Sequence, residues 1–432
     1  MKYKNTLILY LFCWLNVSTF AQSKLTLDEA IRIGIDNNYD IRLAKNESRA
    51  AQINNTKGNA GMLPRVTANL NDNLSNSSIR QLLANGTEIN RNFAFTNGLN
   101  ANVTGTWTVF DGYRMYATKQ RLAELVALGE LNSKQQIRNT IAAIAGTYYD
   151  IVRQQLQLRV SDTLIQITAE RVRLSELRFV SGVAPKMDLL QSQVDLNLLK
   201  NNRFRQEANI LQAKTNLNLL LFRTPGASFT VDTNLGLGII NRQDVEQDIK
   251  RNNLELKAIE QEKLIAMIGK KEVKATRLPT IAVNSALLFN LNNAQAGFIL
   301  ASQNVGLNVG FSASMPLYDG HNTLRLEQLA DLDIDTKQLQ YERLEAVLIQ
   351  QVAKQFTEYT VAREQLRMET ENLPLIQENL NISRERFRLG QSSNILEIKE
   401  IQRQFEDSYY RSINAKYVVK LIEIELRRVS GQ

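Results

Sequence analysis

The sequence predicts a mixed α+β membrane protein built twice over on one plan. Each half carries long antiparallel α-helical coiled-coil hairpins and a pair of transmembrane β-strands. Three observations point there: the chain resembles itself at a displacement of 208–215 residues, two stretches hold an apolar seven-residue period, and four short runs alternate apolar with small polar residues. Apolar residues make up 44 % and charged residues 22 % of the 432 positions, a balance that supports a packed core. The six prolines are few enough for long uninterrupted helices.

Residues 1–21 read as a signal peptide. Lys2 and Lys4 precede an apolar run from Leu7 to Leu15, and Thr19 and Ala21 form a small-x-small site for cleavage after Ala21. The run is shorter than the roughly 20 residues a membrane-spanning helix needs. The one cysteine, Cys13, falls inside it, so the exported chain is expected to have no thiol, no disulfide and no thiolate metal site. Formal charge is +8, or +6 without Lys2 and Lys4. The charges alternate in sign along the chain, which reads as solvated helix faces and not as a nucleic-acid surface. The cluster Lys270, Lys271, Lys274, Arg277 reads as a solvated helix end.

The duplication fixes the domain plan. A shift of 215 lays "NNYDIRLAKNE" (37–47) on "NNLELKAIEQE" (252–262) and Leu63-Pro64 on Leu278-Pro279. A shift of 208 lays Asp111-Gly112 on Asp319-Gly320, and Phe179-x-x-Gly182 on Phe387-x-x-Gly390. The first repeat is therefore 22–222, with a helix over 27–62, strands over 65–74 and 99–110, a long helix over 113–180 and a helix over 187–221. A turn-rich linker, 223–241, leads to the second repeat, 242–432. It has a helix over 242–277, strands over 280–291 and 304–316, a long helix over 321–389 and a helix over 394–429.

The long helices rest on heptads. Ile137, Ile144, Ile151, Leu158, Ile165, Val172 and Phe179 form the first series, and Val352, Tyr359, Leu366, Leu373, Leu380 and Phe387 the second. A sustained period of seven means coiled-coil packing with a left-handed supercoil. Some 69 residues rising 1.5 Å each give about 100 Å, too long for a helix confined to a compact domain. Pro374 should kink the second helix. The shorter helices, about 35 residues each, would lie two in series beside each long one. Gly182 and Gly390 then mark the hairpin tips.

The strands rest on period two. In "LNANVTGTWTVF" Leu99, Ala101, Val103, Gly105, Trp107 and Val109 face one way, and Asn100, Asn102, Thr104, Thr106 and Thr108 the other. "RVTANLN" (65–71), "TIAVNSALLFNL" (280–291) and "VGLNVGFSASM" (305–315) repeat the pattern. The helices spend their apolar faces on each other, so nothing remains to cover an apolar sheet face. Outer-membrane lipid would cover it, with the small polar face towards a wet lumen. Trp107, Phe110 and Tyr318 at the strand ends suit an interfacial aromatic belt. Four strands cannot enclose a lumen, since the smallest barrels use about eight. Copies must share one barrel, and three copies would supply twelve strands. The turns over 71–98 and 290–304 would face the exterior.

This layout resembles the TolC-like outer-membrane efflux factors over about residues 24–430. The supporting residues are Leu63-Pro64 and Leu278-Pro279 before strands, Phe110-Asp111-Gly112 and Tyr318-Asp319-Gly320 after strands, and the tips "FVSGVAPKMDLLQSQ" and "FRLGQSSNILEIKEIQ". The resemblance implies a homotrimer with a shared 12-stranded barrel continued by an α-helical tunnel in the periplasm. It implies no catalysis and no cofactor. It implies docking to a periplasmic adaptor protein and an inner-membrane pump of the RND or ABC type. By motif position Gly182, Val183, Ala184, Gly390 and Gln391 would be the adaptor-docking tips. Glu397 and Glu400 match an acidic pair that narrows the tunnel after the second tip, and Asp188 matches an acid on the first hairpin. Rings of such carboxylates would attract cations and repel anions. The pattern departs at Phe387 and Ser392, where some members lock the closed state with tyrosine and arginine, so any lock here must use other contacts.

Two other classes compete. A periplasmic adaptor also has helical hairpins, but it would carry one hairpin between split β domains, not two hairpins and four alternating runs. An enzyme would need a reactive set. His321 is the only histidine, and no Ser/His/Asp arrangement, metal cluster or phosphate loop accompanies it. The cargo, whether drug, metal, small molecule or protein, leaves no mark in the sequence.

Overall fold

The computed structural model describes residues 24–391 and 395–431. The expected signal peptide with Cys13, and Ser392 in the second tip, lie outside the described residues. The elements run in the order β1 (Lys24–Leu25), α1 (Leu27–Asn37), α2 (Tyr39–Asn54), β2 (Arg65–Leu82), β3 (Glu88–Asp111), α3 (Arg114–Val180) and α4 (Lys186–Leu220). The second repeat follows β4 (Thr230–Val231) with α5 (Arg242–Asn252), α6 (Leu254–Ala275), β5 (Thr280–Ala294), β6 (Ala301–Ser314), α7 (Asn322–Arg388) and α8 (Ile395–Ser430). The long helices α3 and α7 are each 67 residues and coincide end for end under the 208 shift.

Each short first helix is two helices where one was expected. Asn38 and Asn253, matched by the 215 shift, stand at the breaks with extended backbone. The Asn38 carboxamide oxygen accepts from the Asp40 and Ile41 amides at 2.9 and 3.2 Å and so caps α2. Its amide nitrogen donates to the Leu220 carbonyl at 3.1 Å, and Asn253 donates likewise to the Val429 carbonyl at 2.9 Å. A helix broken by asparagine thus ties itself to the end of a later one, once in each repeat. The helices also stop short of the expected ends, α2 at Asn54 and α6 at Ala275.

The chain divides into two compact units. One comprises Met1–Ala44, Ser133–Leu254 and Glu345–Gln432. Its core gathers Leu25, Ala30, Ile144, Ile151, Leu217 and Phe229. The linker is part of that core. Phe229 is fully buried, and β4 pairs in parallel with β1. The Tyr148 hydroxyl clamps both strands, donating to the Leu25 carbonyl at 3.1 Å and accepting from the Asp232 amide at 3.0 Å. The hairpins are visible here in antiparallel pairs: Ser175 with Ser192 across α3 and α4, and Glu369 with Arg411 across α7 and α8.

The heptads are used unequally. Ile144, Ile151, Val352, Tyr359, Leu380 and Phe387 are buried, but Leu158, Ile165 and Val172 are half-buried and Phe179 is exposed. Beyond Ile151 the buried line of α3 passes instead through Gln157, Ser161, Leu164, Thr168, Arg171 and Ser175, stepping by four and three. Val160 and Ile167 are buried beside this line and cluster with Leu164, so the seam here mixes apolar with polar residues. α7 runs as one helix through Pro374.

The other unit, Lys45–Asn132 with Glu255–Leu344, holds an antiparallel sheet in the order β2-β3-β5-β6. The strands are longer than alternation suggests. β2 has 18 residues and β3 has 24, leaving only Leu83–Thr87 as the turn expected over 71–98. The extra length carries polar residues on both faces, which erases the period-two signal. On the polar face Thr67 bonds Thr104 and Asn69 bonds Asn102, both at 2.9 Å. The opposite face is uncovered: Val66, Leu70, Leu287, Leu307, Val309 and Phe311 are all exposed, Phe311 at 81 %. Burying such side chains is worth roughly 1.5–3 kcal/mol each, so this face is built for an apolar surrounding.

Candidate gate and docking tips

The two tips share one backbone device. Helix α3 is followed by Gly182 at φ 72°, and α7 by Gly390 at φ 72°. In each, the glycine amide donates to the carbonyl three residues back and the next amide to the carbonyl five back: Gly182 to Phe179 and Val183 to Arg178, Gly390 to Phe387 and Gln391 to Arg386. A left-handed residue is required to bring those amides round, which is why glycine stands there. Nothing lies within 4 Å of where a Cβ would sit on either glycine. Val183 and Gln391 are exposed and Ala184 is half-buried, with Val180, Met187 and Leu389 exposed beside them.

The three gate candidates stand apart in their bonding. Glu397 accepts from Arg386 at 3.1 Å across the second tip. Glu400 pairs with Arg403 at 2.7 Å on its own helix, and the same guanidinium reaches Asp407. Hydrogen bonds from Arg403 and Gln404 hold the Glu400 carboxyl below the usual range. Asp188 is half-buried in the first turn of α4, where a carboxylate complements the helix dipole. Phe387 is buried, packs with Ile395 and Ile398, and lies under the Arg178 guanidinium at 5.2 Å. It anchors the second tip by packing.

The polar bonds that join the two hairpins have no signal in the sequence. Arg171 of α3, 2 % exposed, donates to Asp195 of α4 at 2.7 Å and to Gln402 of α8 at 3.0 Å. Asp195 also accepts from Lys399 of α8 at 2.9 Å and from Gln191 at 3.0 Å. Burial pushes the Asp195 carboxyl up, but Lys399, Gln191 and Arg171 outweigh it and hold the group below its ordinary value. Burial acts the other way on Arg171, lowering it against the pull of Asp195. Arg171, Asp195, Lys399 and Gln402 line a cavity of about 510 Å³ with Leu164 and Glu400. Further along α8, burial raises the Glu406 carboxyl while its hydrogen bond to Tyr410 opposes. A charged residue in a heptad reads as surface; only its partners, 24 and 231 residues away, make it interior.

Among the described residues no group of His, Cys, Asp and Glu could hold a metal, and no helix is long and apolar enough to cross a membrane. His321 meets Tyr318 edge to face at 5.6 Å and sits at φ 65°.

Two helical hairpins on a duplicated plan, with a strand pair in each repeat and an exposed apolar sheet face, define a TolC-like channel subunit. The chain belongs to the outer membrane efflux protein family, whose model matches residues 31–221 and 246–432. Its place is the outer membrane, with the helical part in the periplasm. Among solved structures it is similar to the outer-membrane channel OprN, at 16 % identity and TM-score 0.74 over 94 % of this chain and 89 % of that one. The outer membrane protein VceC of Vibrio cholerae matches at 14 % and 0.74, over 94 % and 96 %. The CmeC channel of Campylobacter jejuni matches at 13 % and 0.76, over 94 % and 85 %. No curated protein matches the sequence. Family and neighbours are channel proteins, not enzymes.

Proposed function

We propose that three copies form a 12-stranded barrel continued by a helical tunnel. The assembly is the exit duct of a tripartite efflux or type I secretion system and conducts substrates passively to the exterior. The observation that carries this is the sheet: four strands, an exposed apolar face, and two edge strands, β2 and β6, with no further pairing among the described residues. Gly182, Val183, Ala184, Gly390 and Gln391 dock a periplasmic adaptor, which links the duct to an inner-membrane pump of RND or ABC type. A heat-sensitive trimer in the outer-membrane fraction is the expected result. Recovery as a periplasmic monomer would overturn the reading.

The gate lies at the second tip. Opening the tunnel requires α8 to part from the first hairpin near the tips, where the bonds across that boundary include Asp195–Lys399 and Arg171–Gln402. Glu397 and Glu400 set the charge of the constriction, with Asp188 contributing from the first hairpin. Glu397→Ala with Glu400→Ala should change single-channel conductance or divalent-cation block in a planar bilayer. Unchanged behaviour in both would remove these residues from the gate.

A further inference from the structure

The turn between β5 and β6 ends in three consecutive large apolar residues. Phe298, Ile299 and Leu300 are 81 %, 58 % and 58 % exposed. The Ala294 amide donates to the Leu300 carbonyl at 2.8 Å and closes the turn. The side towards which the turn leans decides what those side chains meet: lipid, open solvent or the lumen of a shared barrel.

The strand register gives the direction. The pairs Thr67–Thr104 and Asn69–Asn102 mark the polar face. Ser77 and Ala94 pair on that same face, since side chains alternate along each strand. Just beyond, a bulge sets Ser78 against two residues, Asn92 and Phe93, and Phe93 has φ 57°. β2 itself is unbroken, so alternation returns Ile79 and Gln81 to the polar face with their partners Arg91 and Ile89. The turn lies across these residues. The Arg91 guanidinium donates to the Gln295 carbonyl at 2.9 Å. A methyl group on Gly297 would lie 3.6 Å from the Gln81 carboxamide oxygen, although β3 stands between β5 and β2. The β3–β5 ladder ends at Thr96–Ala294, and next to that end Ala94 and Ala296 are both buried, on a face that is otherwise polar.

We propose that Phe298, Ile299 and Leu300 of three copies meet over the lumen and close the outer end of the barrel with an apolar plug. The inference rests on the shared-barrel reading and adds a constriction at its exterior mouth. The dimensions allow it. Twelve strands about 4.8 Å apart and tilted by about 40° enclose a ring roughly 24 Å across. The turn over 295–300, folded back on itself, reaches about 10 Å inward. Side chains near its middle then cover the remaining distance to the axis. Apolar groups packed at one level of a pore exclude water and ions, so a polar cargo has to push the turns aside. Lipid is the wrong surrounding for this turn. Reaching it would mean leaning towards the face of Leu70 and Val309, and the bond to Arg91 holds the turn on the other face.

Access from outside the cell tests the plug. In a chain with Cys13→Ser, Asn102→Cys sets one thiol on the polar face, and Asn85→Cys sets one on the exposed β2–β3 turn. Whole cells are treated with a maleimide on a polar polymer too large for porins but narrower than the barrel. Asn85→Cys should react fast in every background. Asn102→Cys should react at least tenfold more slowly, and Phe298→Ser with Ile299→Ser and Leu300→Ser should restore most of its rate. Fast reaction at Asn102→Cys beside the native turn, or a rate that the three serines leave unchanged, would overturn the plug. Val103→Cys, on the opposite face, should stay unlabelled; labelling there in place of Asn102→Cys would sink the barrel reading too. Phe298→Cys tests whether copies meet, because equivalent thiols near one axis can pair between chains. After oxidation, non-reducing gels should show covalent dimers at least tenfold above those of Asn85→Cys. Their absence from a heat-sensitive trimer counts against the plug alone, and their absence from a monomer counts against the shared barrel as well.

Discussion

Arg171 shows how much one side chain can decide. A guanidinium taken out of water costs several kcal/mol unless good bonds replace its hydration. Asp195 and Gln402 supply them, and Lys399 completes the pairing from α8. Asp195→Ala would leave Arg171 buried and unpaired, at a cost of about 3–5 kcal/mol. Denaturant unfolding of the purified protein should show this, and Arg171→Met with Asp195→Leu should recover most of it. The pH dependence has a definite sign. The Asp195 value is lowered on folding from 3.8, so its stabilisation is present above that value and lost as pH falls through the lower, folded one. Glu406 is raised by burial, so its contribution is fully present below its unfolded value and lost as pH rises through the folded one. Glu406→Gln should accordingly raise the unfolding midpoint at pH 7.5, and the gain should shrink towards pH 4.

At the scale of elements, asparagine governs how the helices start and stop. Removing the Asn38 cap should cost about 1 kcal/mol, as cap replacements by alanine do. Asn38→Ala also forfeits the bond to Leu220, and Asn253→Ala the bond to Val429. The two sites share no partner, so the double variant should lose the sum of the single losses in thermal unfolding. Neither break is legible in the sequence, because "NNYD" and "NNLE" interrupt no apolar period and contain no proline or glycine. The long helices and tips are legible, since a seven-residue period and a glycine after it are local signals. The polar seam of Gln157, Ser161, Thr168 and Arg171 is not. There the apolar heptad of Leu158, Ile165 and Val172 is the loudest pattern, yet the chain leaves it half-open. Such a stripe tells which face wants apolar company, and is silent on whether its own chain provides it. The linker misleads for the opposite reason. Phe229 and Val231 are two apolar residues among turn formers, and only the β1–β4 pairing shows that they are core.

For the whole molecule, duplication means that every joint has a twin, and a twin can be satisfied inside the chain or outside it. Local patterns cannot tell which, because "FDGY" and "YDGH" specify the same turn. A methyl group on Gly112 would lie 2.4 Å from the Ala275 carbonyl oxygen, whereas one on Gly320 would meet nothing within 4 Å, so in the proposed trimer the filled and the open turn separate two kinetic regimes. Bulk placed at Gly112 obstructs a contact the chain makes with itself, a first-order event whose rate ignores concentration. In the proposed trimer, bulk placed at Gly320 would obstruct a meeting of chains, whose rate grows with a higher power of their number. Expression level becomes a diagnostic. Loss of trimer through Gly112→Asn should persist at every dose, whereas loss through Gly320→Asn should be relieved as synthesis rises, and quantitative blots across an induction series would separate the two. A cell that makes little of this protein would thus feel damage at one glycine far more than abundance in a test tube would suggest.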